Sequence, residues 1–487
     1  MDSSHDTKGE RLPIKLDSTS NGEYLPLPLE SVHKAANLHA LEKATERAKH
    51  LGMNRRNFLV SASGAASTLL AFNSAYANIG KIGGKYDVRE EMAFDIAQAE
   101  SKISGNQFIL DVQGHFVNPE GAWLKSVPKN SKPLQGMPKA SCDLSSLPGE
   151  RSYLDCLNAK EFVKDVFLDS DTDIMVLTFV PSARAAEPLT IEEAYATRDI
   201  VEQLDGTKRL LVHGRVNPNQ DGDLQGMDEL AEHWQVSAWK TYTQWGPDGK
   251  GFSFMDDVGQ AFIEKARKLG IRNICVHKGL PFGPQSYEHS LCSDIGPAAK
   301  QNPDINFLVY HSGYVAGKDE TAYDPNHNEG IDSLIKTVLE NDISEQGNVY
   351  AELGSTWRLL MRDPDSAAHS LGKLFKHLGP KQVLWGTDSI WYGSPQDQIQ
   401  AFRSFQISEV FQEQFGYQPI SDETRDKVFG LNAAPLYGIS VEEIKNHTLS
   451  DRLASNRAAY QEAPNPHFLT HGPKNRREFM NLMQWSQ

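Results

Sequence analysis

The stretch Asn306-Phe307-Leu308-Val309-Tyr310-His311-Ser312-Gly313 is a short apolar run that stops abruptly on a histidine, a serine and a glycine. Continuous apolar character of this length, bounded by turn residues, belongs to a strand buried on both faces. The same grammar recurs along the chain. Runs at 108–116, 173–180, 209–216, 236–243, 273–279, 306–311, 348–353 and 382–387 all read as strands. Helix patterns fall between them, among them 191–204, 255–269, 330–339 and 366–378, and a further helix is expected over 88–101. Eight strands alternating with helices are what a closed (β/α)8 barrel of the α/β class requires. A doubly wound open sheet competes for the pattern, but no glycine-rich phosphate-binding turn follows the first strand.

In such a barrel the C-terminal ends of the strands form the mouth where chemistry is placed. Those ends are polar here. Strand one ends in Asp111-Val112-Gln113-Gly114-His115, strand four in Trp239-Lys240-Thr241, strand five in Val276-His277-Lys278 and strand six in Tyr310-His311-Ser312-Gly313. Strand seven ends in Ala351-Glu352 and strand eight in Gly386-Thr387-Asp388. A lone histidine in an apolar run is more often a satisfied core residue, and His213 is read that way. His115, His277, His311 and Asp388 are different, because all four would converge on one point. Imidazole nitrogen and carboxylate oxygen suit Zn²⁺ first, with Mn²⁺ or Fe²⁺ as alternatives. Gln113 and His115, two apart on a strand, point to the same face. Asp388 is either a ligand or the base that takes a proton from water.

These residues also carry a resemblance. The Asp-x-x-x-His at strand one, the His-Lys-Gly at 277–279, the His-Ser-Gly at 311–313, the Gly-Thr-Asp at 386–388 and the terminal Phe429-Gly430-Leu431-Asn432-Ala433-Ala434-Pro435-Leu436-Tyr437-Gly438 resemble the amidohydrolase superfamily. The nearer likeness is to its amidohydrolase-2 branch, the aminocarboxymuconate semialdehyde decarboxylase-like enzymes. The resemblance implies a divalent metal held by His115, His277, His311 and Asp388, with Asp388, His277 and His311 catalytic. Gln113 stands where that branch has a first metal-binding histidine, and a neutral amide is a poor ligand for a transition metal. Lys240, Lys278 and Trp391 are the expected substrate-binding residues, Lys240 being read equally as part of a structural ion pair. Glu352 is expected to orient a ligand or pair with a cation. The leading function is metal-dependent hydrolysis of a small molecule, with non-oxidative decarboxylation of an aromatic or unsaturated acid as runner-up. A metal-free binding barrel, decayed at Gln113, is the reading from another class.

The rest of the chain bounds these expectations. Its 487 residues carry 49 Lys+Arg against 64 Asp+Glu, a net charge of −15. Without a basic block, nucleic acid is not an expected partner, and no apolar run is long enough for a stable membrane span. Met53-Asn54-Arg55-Arg56-Asn57-Phe58-Leu59, an interrupted apolar run and Ala75-Tyr76-Ala77 resemble a twin-arginine signal. The expected organisation is therefore a leader over 1–77, a barrel over 78–440 and a helical extension over 441–487. The export machinery is an expected partner and the periplasm the expected location, with a homo-oligomer allowed. Cys142 and Cys156 would pair in an oxidising compartment, whereas Cys275 and Cys292 read as free thiols. The proline-rich insertion over 118–170 is expected to cover the pocket or meet another subunit, and the tail after Gly438 to wrap the barrel with one helix over 442–456.

Overall fold

The structure, a computed structural model, describes residues 6–485 apart from 18, 126–137, 139, 141, 143–151, 282–285, 344 and 450–451. Eight parallel strands form its centre: β1 (Leu110–Gly114), β2 (Ile174–Leu177), β3 (Leu210–Val212 and Gly214–Arg215, broken at His213), β4 (Trp239–Tyr242), β5 (Asn273–His277), β6 (Asn306–Tyr310), β7 (Val349–Glu352) and β8 (Val383–Leu384). Each pairs in parallel with the next. The ring closes where Gly114 bridges Ser389 and the Val112 N–H donates to the Trp385 carbonyl at 3.0 Å. The fold is a (β/α)8 barrel, as the alternating pattern implies.

Leu110, Val112, Ile174, Val176, Ala238, Cys275, Leu308, Tyr310 and Leu384 fill the barrel interior as one apolar cluster. A larger cluster lies between the strands and the surrounding helices. This double burial is why the strands read as continuous apolar runs. The crossover helices Ile191–Asp205, Asp257–Leu269, Gly330–Glu340 and Pro364–His377 lie within two residues of their sequence-derived limits. The first of them shows why: Thr190 and Glu193 form a reciprocal capping box, and Gly206 ends the helix at φ +83°.

Two expectations are corrected. The helix over 88–101 is instead a short 3-10 turn, Glu90–Ala93, and an α-helix, Ile96–Ile103. Asp95 interrupts them, because its side chain accepts the Gln98 N–H and starts a new helix. The tail helix over 442–456 is two helices, Val441–Leu449 and Arg452–Gln461, followed by Arg476–Trp485. The tail does run along the barrel exterior, where Arg457 donates to the Thr172 carbonyl at 2.6 Å.

The segment before the barrel folds into helices Ser31–His50, Arg55–Val60 and Ala62–Asn78. Ala65, Ala66, Leu69, Phe72 and Tyr76 join the same apolar cluster as the barrel's outer face. Asn73 exchanges two hydrogen bonds with the Tyr86 backbone, at 2.7 and 2.9 Å. Tyr86 in turn belongs to Gly84–Tyr86, which pairs antiparallel with Phe405–Ile407. Residues 19–24 reach the barrel mouth, and the segment before them is anchored by Lys15 on the buried Asp397 and by the Arg358 bond to the Asp17 carbonyl. Cys142 and Cys156 form a disulfide, and Cys275 and Cys292 are buried thiols. Most of the middle of the insertion, with Pro128, Pro133 and Pro148, lies outside the described residues. Among the described residues no helix is long and apolar enough to cross a membrane.

Candidate metal centre

The strand ends bring Gln113, His115, His277, His311 and Asp388 together, each at most 2 % exposed. Both Gln113 and His115 reach Asp388: the Gln113 amide donates to Oδ1 at 2.9 Å, and His115 Nε2 lies 3.1 Å from the same oxygen. The Gln113 amide nitrogen also lies 3.5 Å from His115 Nε2 and 3.4 Å from His311 Nε2. The rings of His277 and His311 meet edge to face at 4.6 Å.

Backbone geometry positions these groups at a cost. His311, Ser312 and Asp388 take φ values of +65°, +55° and +58°, a left-handed conformation that L-residues adopt only when their surroundings impose it. The imposing contacts are visible. Thr356 donates to the His311 carbonyl, Ser312 to the Glu352 carbonyl, and Glu352 accepts the N–H groups of His311 and Gly354. Glu352 thus fixes the backbone that carries His311. A side chain at Gly354 would lie 2.6 Å from Gln113 Oε1 and 2.8 Å from His311 Nδ1, so the site admits only glycine there.

Burial keeps the imidazoles neutral. It pushes His311 down to about 3, His277 well below the usual histidine range and His115 below it, although Asp388 pulls His115 the other way. Burial alone would raise Asp388, but the hydrogen bond with His115 holds its carboxyl below the usual range. Glu352 is pushed up to about 8 by burial. Two of the imidazoles have their far nitrogens accounted for. His277 Nε2 meets the Leu280 carbonyl at 3.3 Å, and His115 is bonded to the Thr178 backbone. His115 Nε2 lies 3.1 Å from Asp388 Oδ1, a hydrogen-bond distance that is also the spacing of two ligand atoms sharing one ion. Neutral imidazoles and a carboxylate of this kind fit a divalent metal.

Three residues that reach this centre were not legible in the sequence. Asn21 donates to Asp388 Oδ2 at 3.0 Å and to Glu23 at 2.6 Å. Glu23 lies 3.3 Å from His277 Nδ1 and 3.9 Å from His311 Nε2. Ser355 also donates to Asp388 Oδ2 and meets Tyr392. Burial and the nearby Asp388 push Glu23 well above the usual carboxylate range.

The expected substrate groups divide. Trp391 stacks on the His115 ring at 5.3 Å and, with Phe116, Phe179 and Leu189, lines a small pocket beside it. Lys240 lies under the site, its ammonium 3.7 Å from the Tyr310 ring and without a hydrogen-bond partner among the described residues. Lys278 is a correction: its ammonium is held by Asp294 at 2.7 Å and the His289 carbonyl at 3.0 Å, because it follows His277 and points to the opposite side of β5. His213 meets Tyr437 and Cys275 in the barrel interior, a structural role. A larger cleft of about 960 Å³ lies away from the mouth, between the N-terminal segment, the insertion and the tail.

The family model described as Amidohydrolase (Amidohydro_2) matches residues 159–439, more than half of the chain. The chain belongs to the amidohydrolase family. Strand β1, with Gln113 and His115, precedes the matched range. No curated protein matches this amidohydrolase by sequence. Among solved structures it is similar to 2,6-dihydroxybenzoate decarboxylase from Rhizobium, with 14 % identity, 68 % of this chain and 99 % of that one covered, and a TM-score of 0.39. It is also similar to an uncharacterized TIM-barrel protein from Bordetella bronchiseptica, with 12 % identity, 68 % and 98 % covered, and a TM-score of 0.43. A third likeness is dihydroorotase from Saccharomyces cerevisiae in complex with 5-fluoroorotic acid, with 12 % identity, 70 % and 86 % covered, and a TM-score of 0.39.

Proposed function

We propose that this amidohydrolase is a metal-dependent hydrolase of a small molecule with an amide, ester, lactone or activated C–C bond. The observation that carries the reading is the buried convergence of neutral His115, His277 and His311 on ionised Asp388 at the barrel mouth. These residues would hold a divalent ion, Zn²⁺ being the first choice for such donors and Mn²⁺ or Fe²⁺ compatible with them. Such an ion, when bound, acidifies water and polarises a carbonyl.

The chain's own groups supply the rest. Asp388, kept ionised and fixed through Oδ2 by Asn21 and Ser355, accepts the proton of the attacking water. Burial excludes bulk water and strengthens each electrostatic contact. Trp391 and its apolar neighbours hold the uncharged part of the substrate against His115. Lys240 offers a desolvated ammonium to an anionic group of the substrate.

That ammonium also favours a second reading, non-oxidative decarboxylation, in which Lys240 holds the carboxylate that leaves. The experiment is metal analysis of the purified full-length chain with a screen of lactones, amides and aromatic acids, scoring hydrolysis product against released CO₂. One metal equivalent with hydrolysis supports the first reading, and CO₂ release transfers it to the second. Less than a tenth of an equivalent, with no gain on adding Zn²⁺, Mn²⁺ or Fe²⁺, refutes both and leaves a metal-free binding barrel.

A further inference from the structure

The N-terminal segment does more at the barrel mouth than cover it. Between Thr19 and Tyr24 the chain folds back on itself: the Gly22 N–H donates to Ser20 Oγ, the Glu23 N–H to Asn21 Oδ1 and the Tyr24 hydroxyl to the Thr19 carbonyl. Tyr24 is also joined to Tyr392 at 3.1 Å, and the Ser20 N–H donates to the Pro473 carbonyl at 2.9 Å. This small turn is therefore fixed from both sides. It delivers one carboxylate, Glu23, to the histidines of β5 and β6. The ligand atoms of Glu23, His277 and His311 all lie within 4.8 Å of one another, a separation that one ion can span.

Donor chemistry favours a carboxylate there. The strand ends offer three imidazoles, the amide of Gln113 and one carboxylate at Asp388. Gln113 is a poor ligand, so that set leaves room for a further oxygen donor of the kind a divalent ion takes. Glu23 brings a second carboxylate to it. Geometry agrees: His277 Nε2 meets the Leu280 carbonyl on one side of the ring, and Nδ1 on the other lies 3.3 Å from Glu23. Asn21 bridges Glu23 and Asp388, holding two acidic groups on either side of the same space.

We propose that Glu23 is a metal ligand of this centre, contributed by the N-terminal segment, and that the segment is a permanent part of the working enzyme. The proposal rests on the reading of the strand-end histidines as a metal site. It makes the site a composite of the barrel and a strap that crosses it. Two of the three helices that follow the strap, Ser31–His50 and Ala62–Asn78, bury side chains in the barrel's outer cluster, which is what a retained element requires. A leader removed after Ala77 would take Glu23, Asn21 and those helices with it.

The test uses the full-length chain and Zn²⁺ itself, with affinity measured by competition against a chromogenic chelator and stoichiometry by elemental analysis. E23Q, which keeps shape and removes charge, is expected to bind Zn²⁺ about 10–100-fold more weakly. Adding Q113E to E23Q is expected to recover most of that loss, since Gln113 lies within 3.5 Å of the same imidazole nitrogens. Recovery also shows that the E23Q fold is intact. Wild-type protein that binds no metal overturns the metal reading and this proposal together. Wild-type protein that binds one equivalent while E23Q binds it equally well overturns Glu23 alone. Intact mass of the isolated enzyme decides retention: a chain that begins at Asn78 and still holds its metal at wild-type affinity overturns the proposal, and a chain that includes residue 23 supports it.

Discussion

Lys240→Met is expected to act in two opposite directions. The Lys240 ammonium is fully buried, and desolvation lowers it from the usual 10.5 to about 8. At about 1.4 kcal/mol per unit, that difference corresponds to about 3 kcal/mol of cost for carrying the charge. The sign follows from proton counts. Between pH 8 and 10.5 the unfolded chain holds a proton that the folded chain has released, so stability rises with pH across that window and the cost is fully present at pH 7. Methionine has a similar length and no charge to desolvate. It forfeits the cation–π contacts with Tyr310 at 3.7 Å and Tyr242 at 4.8 Å, about 1–2 kcal/mol. The net expectation at pH 7 is a gain of about 1–2 kcal/mol, read as a higher denaturation midpoint, and the advantage over wild type should shrink between pH 8 and 10.5. Substrate binding should suffer in proportion to a lost charged hydrogen bond, about 1.5–3 kcal/mol, or roughly a tenfold to hundredfold rise in KM for an anionic substrate. A variant that is less stable than wild type, with KM unchanged, would refute both halves and make Lys240 a structural cation.

Other expectations follow from the same geometry. Asp388→Asn should lower kcat by about a thousandfold while leaving the far-UV spectrum unchanged, and retained turnover would remove Asp388 as the base. His369, packed among Phe411, Phe415 and Tyr417, is pushed down to about 4 by burial and by Lys373. The unfolded chain therefore gains a proton near pH 6.5 that the folded chain refuses until about pH 4, and stability falls as pH drops through that interval. His369→Phe should flatten that part of the acid-unfolding curve; an unaltered slope would place the acid sensitivity elsewhere. Cys156→Ser should lower stability by about 3 kcal/mol, since the disulfide closes a loop with a sequence separation of 14. Equal melting of wild type with and without reductant would count against that figure.

The barrel was legible because double burial writes itself into composition. The runs containing Leu308 and Cys275 are apolar on both faces, and the chemistry stands where each run stops. His115, His277, His311 and Asp388 were legible for the same reason, each standing at or just beyond the C-terminal end of its strand. Lys278 misled because adjacency in sequence to His277 means opposite sides of a strand. Glu23, Asn21 and Ser355 had no periodic context to mark them. The first two lie in an irregular turn, and what they meet is decided by how a distant segment docks. The break between residues 88 and 101 was hidden for a local reason: Asp95 suits a cap as well as an exposed helix face, and only the Gln98 N–H distinguishes them.

The contact between Asn21 and Asp388 joins positions 367 residues apart, and Ser20 is tied to the still more distant Pro473. A polypeptide emerging from the ribosome reveals Asn21 and Glu23 long before His277, His311 or Asp388 exist. Local helices such as Ser31–His50 can form early, but the mouth is completed only once Asp388 has been made. A product that stops before β8 would therefore retain many of the imidazoles without the carboxylate on which they converge. Competence is a late, all-or-none event, set by segments that meet in space although they leave the ribosome far apart in time.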